Sequence, residues 1–368
     1  MKIAFVHDYL NQMGGAEKVL EQCCQIFPDA PVYTSIFDKS KVSSIIGGLD
    51  IRSSFIQRLP FLEKHFKKYL PLYPMAFEQM KLSGYDVVLS MSSAFAKGIS
   101  LEPGTLHINY CHTPMRFVWM FESYDEKEKI PFYYKPALLP ILKRLKKWDL
   151  EKNKNVHKFI ANSNTVKERI KRFYGRDSDI IYPPVDIERF KPCGTAQDYF
   201  LIVSRLREYK RIDLAVSACT KLGLPLKIIG TGTAEQKLKK IAGPYVEFLG
   251  HKNDGEVVQY VQQCKAFILP GEEDFGIAPI EAQAAGKPVI AFGAGGALDT
   301  IIEGKTGLFF YQPTVESLIK KLKKFPEISF SPEECRKNAE RFSCDRFKRQ
   351  IMQYIEEMVY KKQRLKSL

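Results

Sequence analysis

Apolar residues along this chain fall into short, strand-sized runs that alternate with longer segments in which apolar positions recur every three or four residues. Lys2–Ile3–Ala4–Phe5–Val6 opens as a strand, turns polar at His7–Asp8, and gives way to a helical pattern from Ala16. Asp86–Ser90, Leu106–Tyr110 and Lys158–Asn162 repeat the strand signal, and Ser163 or Asn164 is placed to cap the helix after the last of them. Residues 181–197 (IYPPVDIERFKPCGTAQ) break the alternation with three prolines and a glycine, which suits a linker. The alternation then restarts. Strands are expected at Tyr199–Val203, Pro225–Ile229, Val246–Leu249, Ala266–Leu269 and Pro288–Phe292. Helices are expected from about Arg211, from about Ala234, over Gly255–Gln263 and from Ile277. Near the end, Ser331–Pro332–Glu333–Glu334 carries a cap residue, a proline at the first helical position and a glutamate three residues after the serine. Phe347, Ile351, Tyr354, Ile355 and Met358 then share one helical face, so the last helix should pack on a domain.

Short apolar strands separated by helices predict parallel sheets covered on both faces. The chain has 368 residues, more than one hydrophobic core usually serves. The expected fold class is therefore α/β, with two Rossmann-like domains facing across a cleft. The first spans 1–180, with a C-terminal helix at about 346–368 packing back on it; 181–197 links it to a second domain at 198–345.

Composition narrows the field only a little. No apolar run approaches the roughly 20 residues that span a bilayer, and the opening run is too short for a secretory signal. The eight cysteines form no C-x-x-C pair, which fits reduced thiols in a cytoplasmic protein better than a zinc site or a disulfide framework. The net charge of +14 attracts anions generally: nucleic acid, anionic membrane or phosphorylated ligands.

Five segments carry candidate chemistry. In 270–286 (PGEEDFGIAPIEAQAAG), Glu273 and Glu281 stand eight residues apart where a strand passes through Gly276 into a helix. Backbone N–H groups at a helix start suit a phosphate or sugar hydroxyls, and the two carboxylates could touch different parts of one elongated ligand; acids near a helix start are also favoured for their own sake. Ser204–Arg205–Leu206–Arg207–Glu208–Tyr209–Lys210–Arg211 leaves a strand at the end where α/β sheets bind ligands, and its cations suit a diphosphate or simply a basic surface loop. Gly14–Gly15 follows the first strand, where small residues let a backbone approach a ligand or merely turn. Gly230–Thr231–Gly232 begins like a dinucleotide fingerprint, but Glu235 stands where the third glycine belongs, which counts against a dehydrogenase. His112 ends a strand of the first domain and could bond a sugar hydroxyl, shuttle a proton or serve structure alone.

Taken in order along the chain, these residues resemble the retaining glycosyltransferases of family 4, which have the GT-B fold. The likeness covers most of the chain and includes Tyr182–Pro183–Pro184–Val185–Asp186 in the linker. The phrase YCHTPMRFVW (110–119) is similar to a subgroup that builds bacterial surface polysaccharides, often from GDP-mannose. The resemblance implies a nucleotide diphosphate sugar as donor. Arg205 and Lys210, with Ser204 and Gly232 nearby, would bind its diphosphate; Glu281 would bind the ribose; Glu273 would contact the transferred sugar. Backbone amides of Phe275, Gly276 and Ile277 would help there. Gly14 and Gly15 would approach the phosphates from the first domain, and His112 would touch the sugar near the reacting carbon. His112, Glu273, Arg205 and Lys210 are thus the expected catalytic group. The family needs no metal and no cofactor, and no Asp-x-Asp cluster is read here as a metal holder. Ala278–Pro279–Ile280 before Glu281 departs from the pattern and could shift the local amides.

Two rivals share parts of this picture. A basic nucleic-acid-binding protein would explain the charge, yet none of the readable motifs of such proteins is present. A nucleotide-sugar epimerase of the same fold would act without an acceptor. Finally, residues 58–77 interleave Arg58, Lys64, Lys67 and Lys68 with Phe, Leu and Tyr. Residues 133–154 set Lys135, Lys143, Arg144, Lys146, Lys147, Lys152 and Lys154 beside Leu138, Leu139, Ile141, Leu142 and Trp148. That mixture suits an anionic bilayer surface, although core packing with a solvated basic face gives the same pattern. The expected partner is a lipid-linked glycan on the inner face of the cell membrane, met by a peripheral enzyme.

Overall fold

The computed structural model describes residues 1–62, 66–121, 135–194 and 196–366. The chain divides into two compact units, Met1–Pro184 with Phe347–Leu368, and Val185–Arg346.

Unit 1 is built on a seven-stranded sheet. Its strands are β1 (Ile3–His7), β2 (Val32–Thr34), β3 (Ile51–Ser53), β4 (Val87–Ser92), β5 (Leu106–Cys111), β6 (Lys158–Ala161) and β7 (Ser178–Ile180). They lie in the order β3-β2-β1-β4-β5-β6-β7, every neighbour parallel, with Phe5 opposite Leu89 and Leu89 opposite Ile108. The strands at the two edges, β2, β3 and β7, are only three residues long and carry no pattern that the sequence reading could detect. Helices α1 (Gly15–Ile26), α2 (Arg116–Trp119), α3 (Lys135–Asn153) and α4 (Asn164–Tyr174) complete the crossovers that concern us. Ser163 is the cap of α4, its hydroxyl accepting the Val166 N–H at 3.2 Å.

Two buried carboxylates organise this unit. The polar break after β1 contains Asp8, whose oxygens accept four backbone N–H groups, from Ser93, Ala94, Phe95 and Ala96, at 2.6–2.9 Å. It therefore fixes the turn that leaves β4. Asp149 on α3 forms a buried ion pair with Lys97 and accepts the Trp119 indole N–H at 2.7 Å. Charge-assisted bonds of this kind are about twice as strong as neutral ones, and they tie α3 to α2 and to the β4 turn.

The second unit contains β8 (Phe200–Val203), β9 (Leu226–Ile229), β10 (Val246–Gly250), β11 (Ala266–Leu269), β12 (Val289–Phe292) and β13 (Gly307–Phe310). Their order is β10-β9-β8-β11-β12-β13, again all parallel. The chain reverses its direction of travel across the sheet between β8 and β11. Helix α5 (Ile212–Leu222) presents Ile212, Ala215, Val216 and Cys219 to the core on one face, and α6 (Ala278–Ala284) follows β11. The strand β13 begins with glycine, which hid it from the pattern.

The expected linker is not a free spacer. The Ile181 carbonyl accepts the Tyr110 hydroxyl at 2.8 Å in unit 1. From Val185 onward the chain is bound to unit 2. The Val185 N–H reaches the Phe342 carbonyl at 2.8 Å, and Arg336 holds the carbonyls of Ile187 and Phe190 and the carboxylate of Glu188 at 2.6–3.0 Å. The last helix, α7 (Cys344–Lys366), packs on unit 1 as its periodicity predicts. Phe347, Ile351 and Ile355 are fully buried against β1, β4 and β5, each contributing roughly 1.5–3 kcal/mol by burial.

His107 on β5 gives this core a pH dependence. It is fully buried, with Nδ1 donating to the Asn155 carbonyl at 3.2 Å and Nε2 accepting from the Ser90 hydroxyl at 2.7 Å. Burial pushes its pKa down from 6.5 to about 3. Between those values the unfolded chain takes up a proton that the folded chain refuses, so stability falls as pH drops below about 6.5. The urea midpoint should be lower at about pH 5 than at about pH 7.5, and His107→Asn should flatten that slope. An unchanged slope in the variant would assign the loss to other groups.

Candidate active site

In open α/β sheets, ligands bind beyond the carboxyl ends of the strands, where the strand order reverses. In unit 2 that point lies between β8 and β11. The two strongest sequence signals leave the sheet there side by side: Ser204–Arg211 follows β8, and Pro270–Ile277 follows β11. They meet through Lys210 and Glu273, whose Nζ and Oε1 lie 2.5 Å apart. The two side chains are 14% and 24% exposed, so the cost of desolvating both charges offsets much of their attraction and the pair is not a main source of stability. Its effect is positional, holding a carboxylate and a cation at one point of the crevice.

The other cations of the β8 loop are divided between structure and solvent. Arg211 sits at φ 51° and turns its guanidinium onto Asp213 at 3.2 Å, so it starts α5 rather than facing a ligand. Arg207 donates to the Thr233 hydroxyl at 3.4 Å. Arg205 is exposed, and its guanidinium has no hydrogen bond or ion pair among the described residues. Ser204 is fixed by its N–H to the Ile229 carbonyl at 3.0 Å, with its hydroxyl 3.3 Å from the Arg205 carbonyl.

Glycines decide how closely these loops approach. A Cβ on Gly232 would lie 2.2 Å from the Leu206 carbonyl oxygen, and one on Gly230 1.9 Å from that of Ser204. Gly232 is thus a contact point for the β8 loop, whatever else it touches. Three further glycines were not singled out from sequence. Gly271 would clash with the Lys210 carbonyl oxygen at 2.6 Å, Gly295 with that of Glu273 at 2.2 Å, and Gly296 with the Phe275 Cα at 2.3 Å. The Gly296 N–H donates to the Glu273 carbonyl at 2.8 Å. The signal was present, a glycine-rich Gly293–Ala294–Gly295–Gly296 directly after β12, but its partner is distant in sequence.

Glu281 lies in the first turn of α6, its N–H on the Ile277 carbonyl at 3.1 Å. Gly276 just before it has φ 87°, a conformation that a side chain would strain, so the chain can turn sharply from Phe275 to Ile277. Phe275 is buried edge-on against Phe342 at 5.6 Å, anchoring that turn. Pro279 occupies the second helical position, where its missing N–H costs nothing. The structure therefore brings Lys210 and Glu273 together, with Arg205 on the loop of Lys210, the Phe275–Gly276–Ile277 turn directly after Glu273, and Glu281 in the first turn of the adjoining helix.

In unit 1, Gly14 caps α1 in an extended conformation and Gly15 begins it, so neither is there for left-handed backbone. A Cβ on Gly14 would lie 3.1 Å from the carboxylate of Glu17, which is itself buried and has one oxygen without a partner among the described residues. His112 directly follows β5. Its N–H donates to the Ser92 carbonyl at 2.9 Å, its carbonyl accepts from Asn162 at 3.0 Å, and its ring is only 9% exposed. His7, at the end of β1, was not anticipated; its ring lies 6.5 Å from that of His112. One Asp-x-Asp does occur, Asp177–Ser178–Asp179. Asp177 pairs with Lys171 at 2.8 Å and Asp179 accepts from Tyr354 at 2.8 Å, and no metal-holding cluster is found among the described residues.

The contact of Gly296 with the Glu273–Phe275 turn yields a direct test. Gly296→Ala keeps an ordinary backbone conformation but must push that turn aside, at a cost of about 1–3 kcal/mol for overpacking. The melting temperature should drop, with faster amide exchange across 270–277; an unchanged protein would show that the turn is free of Gly296.

Two family models between them run along most of the chain: that described as Glycosyltransferase Family 4 matches residues 13–189, and Glycosyl transferases group 1 matches 185–342. An uncharacterized glycosyltransferase of Methanocaldococcus jannaschii is 27% identical over 46% of this chain and 49% of its own length. The alpha-1,3/1,6-mannosyltransferase ALG2 of Mus musculus is 27% identical over 54% of this chain and 57% of its own. The chain thus spans about half the length of the curated relatives it matches. Among solved structures, Anabaena Alr3699/HepE in complex with UDP has a TM-score of 0.69 at 16% identity, covering 97% of this chain and 100% of that one. The lipopolysaccharide outer core galactosyltransferase WaaB, in its apo form, has a TM-score of 0.69 at 20% identity over 97% and 100%. With both Rossmann-like units and the ordered series of motifs accounted for, the chain belongs to the family 4 glycosyltransferases of GT-B fold.

Proposed function

We propose that the chain is a retaining, metal-independent glycosyltransferase. It moves a hexose from a nucleoside diphosphate sugar, with GDP-mannose the favoured donor, to a growing lipid-linked glycan of a bacterial surface. The observation that carries this reading is the Lys210–Glu273 pair at the point where the strand order of unit 2 reverses, with Arg205 on the same loop as Lys210. Arg205 offers a planar fork and Lys210 a point charge to a diphosphate. An ammonium has three donors, so Lys210 can bond a phosphate oxygen while keeping Glu273 in place for the sugar hydroxyls. Glu281 takes the ribose. As the sugar leaves, charge builds on the diphosphate, and fixed cations and backbone N–H groups stabilise it without reorganising. Unit 1 contributes His112 for the sugar and Gly14–Gly15 for the phosphates, the roles that the resemblance gives them.

The mouse relative is a mannosyltransferase by name, whereas HepE is solved with UDP and with UDP-glucose. Melting-temperature shifts with GDP-, UDP-, ADP- and dTDP-sugars separate these, because a ligand that binds only the folded state raises its stability. Lys210→Ala and Glu281→Ala should each lower kcat/KM for the donor by about 10–200-fold, the loss of a charge-assisted bond of about 1.5–3 kcal/mol, with melting temperature nearly unchanged. Activity should persist in EDTA. Wild-type activity in either variant removes that residue from the site. Loss on chelation, restored by Mg²⁺ or Mn²⁺, contradicts the metal-independent class, and sugar-nucleotide turnover without acceptor points to the epimerase.

The membrane reading rests on α3. Lys143, Arg144, Lys146 and Lys147 are exposed, while Leu142, Leu145 and Trp148 are buried in the core, so attraction to a bilayer would come from charge more than from insertion of that face. Lys64 lies outside the described residues, as do the side chains of Lys67 and Lys135. No helix among the described residues is long and apolar enough to cross a membrane. Each basic residue near an anionic surface adds about 1 kcal/mol. The protein should co-sediment with anionic vesicles at low salt, less at high salt, and less when those four residues are changed to glutamine. Equal recovery in the supernatant with anionic and neutral vesicles would leave a soluble acceptor.

A further inference from the structure

We propose that an apolar pocket inside unit 1 takes the hydrocarbon chain of a phosphorylated lipid acceptor, with Arg116 and Thr113 meeting its phosphate. The inference rests on the lipid-linked reading of the acceptor given above.

The pocket has a volume of about 390 Å³, within the range of about 300–1,000 Å³ usual for ligand sites. Its walls are largely carbon, from Phe66, Tyr73, Phe95, Phe117, Leu138 and Leu142. A sugar placed there would leave its hydroxyls facing apolar groups, which is costly, whereas a hydrocarbon chain would not. The lining is polar in few places. Arg116 is the cation among the described lining residues, and Thr113 brings a hydroxyl. Thr113 is 8% exposed, and its Oγ1 has no hydrogen-bond partner among the described residues. A buried hydroxyl normally finds a partner, so one left without a partner on a residue that lines a cavity points to a ligand oxygen.

Chain continuity orients such a ligand. Thr113 is the residue after His112, the side chain assigned to the reacting sugar, so the polar end of the pocket adjoins the place where chemistry is expected. Part of the apolar wall, Phe66, Leu70, Tyr73, Leu138 and Leu142, comes from the two segments that mix basic with aromatic and aliphatic residues, 58–77 and 133–154. Both also expose apolar side chains: Phe61 is 78% exposed with φ 54°, and Leu139 is 51% exposed beside Leu138. The pocket is preformed, because Asp149 locks α3 to Trp119 and Lys97, and Asp8 fixes the Ser93–Ala96 turn that supplies another wall.

Calorimetric titration of the full chain with dodecyl phosphate, below its micellar concentration, and with inorganic phosphate tests this. Dodecyl phosphate should saturate one site at least tenfold more tightly than inorganic phosphate. Leu138→Trp, which fills the cavity, should weaken it at least tenfold without lowering the melting temperature. Should that variant fold poorly, Thr113→Val keeps the shape, removes the hydroxyl and should weaken dodecyl phosphate severalfold. Equal affinity for the two phosphates, or a folded Leu138→Trp that binds as wild type does, overturns the pocket even where anionic vesicles still bind. Dodecyl phosphate binding that is lost in Leu138→Trp supports the pocket, even where the transferase proves to use a soluble glycan and the lipid-linked reading fails.

Discussion

The meeting of the β8 and β11 loops in unit 2 depends on the absence of side chains at five positions. Gly230, Gly232, Gly271, Gly295 and Gly296 each lie so close to a neighbouring loop that a Cβ would overlap its backbone, at 1.9–2.6 Å. Backbone therefore packs on backbone around the carboxyl ends of β9, β8, β11 and β12. The consequence is positional. The β8 loop is held from one side by Gly230 and Gly232 and from the other by Gly271, and the β11 loop is held by Gly295 and Gly296. Lys210 and Glu273 then meet at 2.5 Å without needing the strength of their own ion pair to bring them together. Preorganisation of this kind is what lets fixed charges stabilise a developing diphosphate.

Unit 1 solves the same problem with carboxylates in place of glycines. Asp8 gathers four backbone N–H groups and Asp149 gathers a lysine and an indole. Removing one partner from such a buried set is costly because the others are left unpaired, so these residues fix loop geometry more firmly than apolar contacts alone would. The two arrangements fix the loops at the strand ends of both units while their cores stay apolar.

Much of this was legible in the sequence because it rests on local chemistry. Long, periodic elements such as the α7 face of Phe347, Ile351, Ile355 and Met358 announce themselves, as do the Ser163 and Ser331 caps. Three-residue strands such as Val32–Thr34 do not, since their structure comes from pairing rather than propensity. Glu273 and Lys210 were visible as candidates, but their contact spans a crossover and cannot be read from either loop. The glycines after β12 were visible as letters, and their purpose appears only once Phe275 is beside them. Asp8 resembled an ordinary turn residue, and Arg211 resembled a ligand-binding cation until its pairing with Asp213 and its positive φ showed it starting a helix.

The central claim is that a nucleoside diphosphate binds where the β8 and β11 loops meet. Crystals of the full chain grown with GDP, and separately with UDP, address it most directly. The expected density places the diphosphate within hydrogen-bonding distance of Arg205 and Lys210, with the ribose hydroxyls on Glu281. A nucleotide bound elsewhere on the chain, or one in that crevice with its phosphates turned away from both cations, would contradict it.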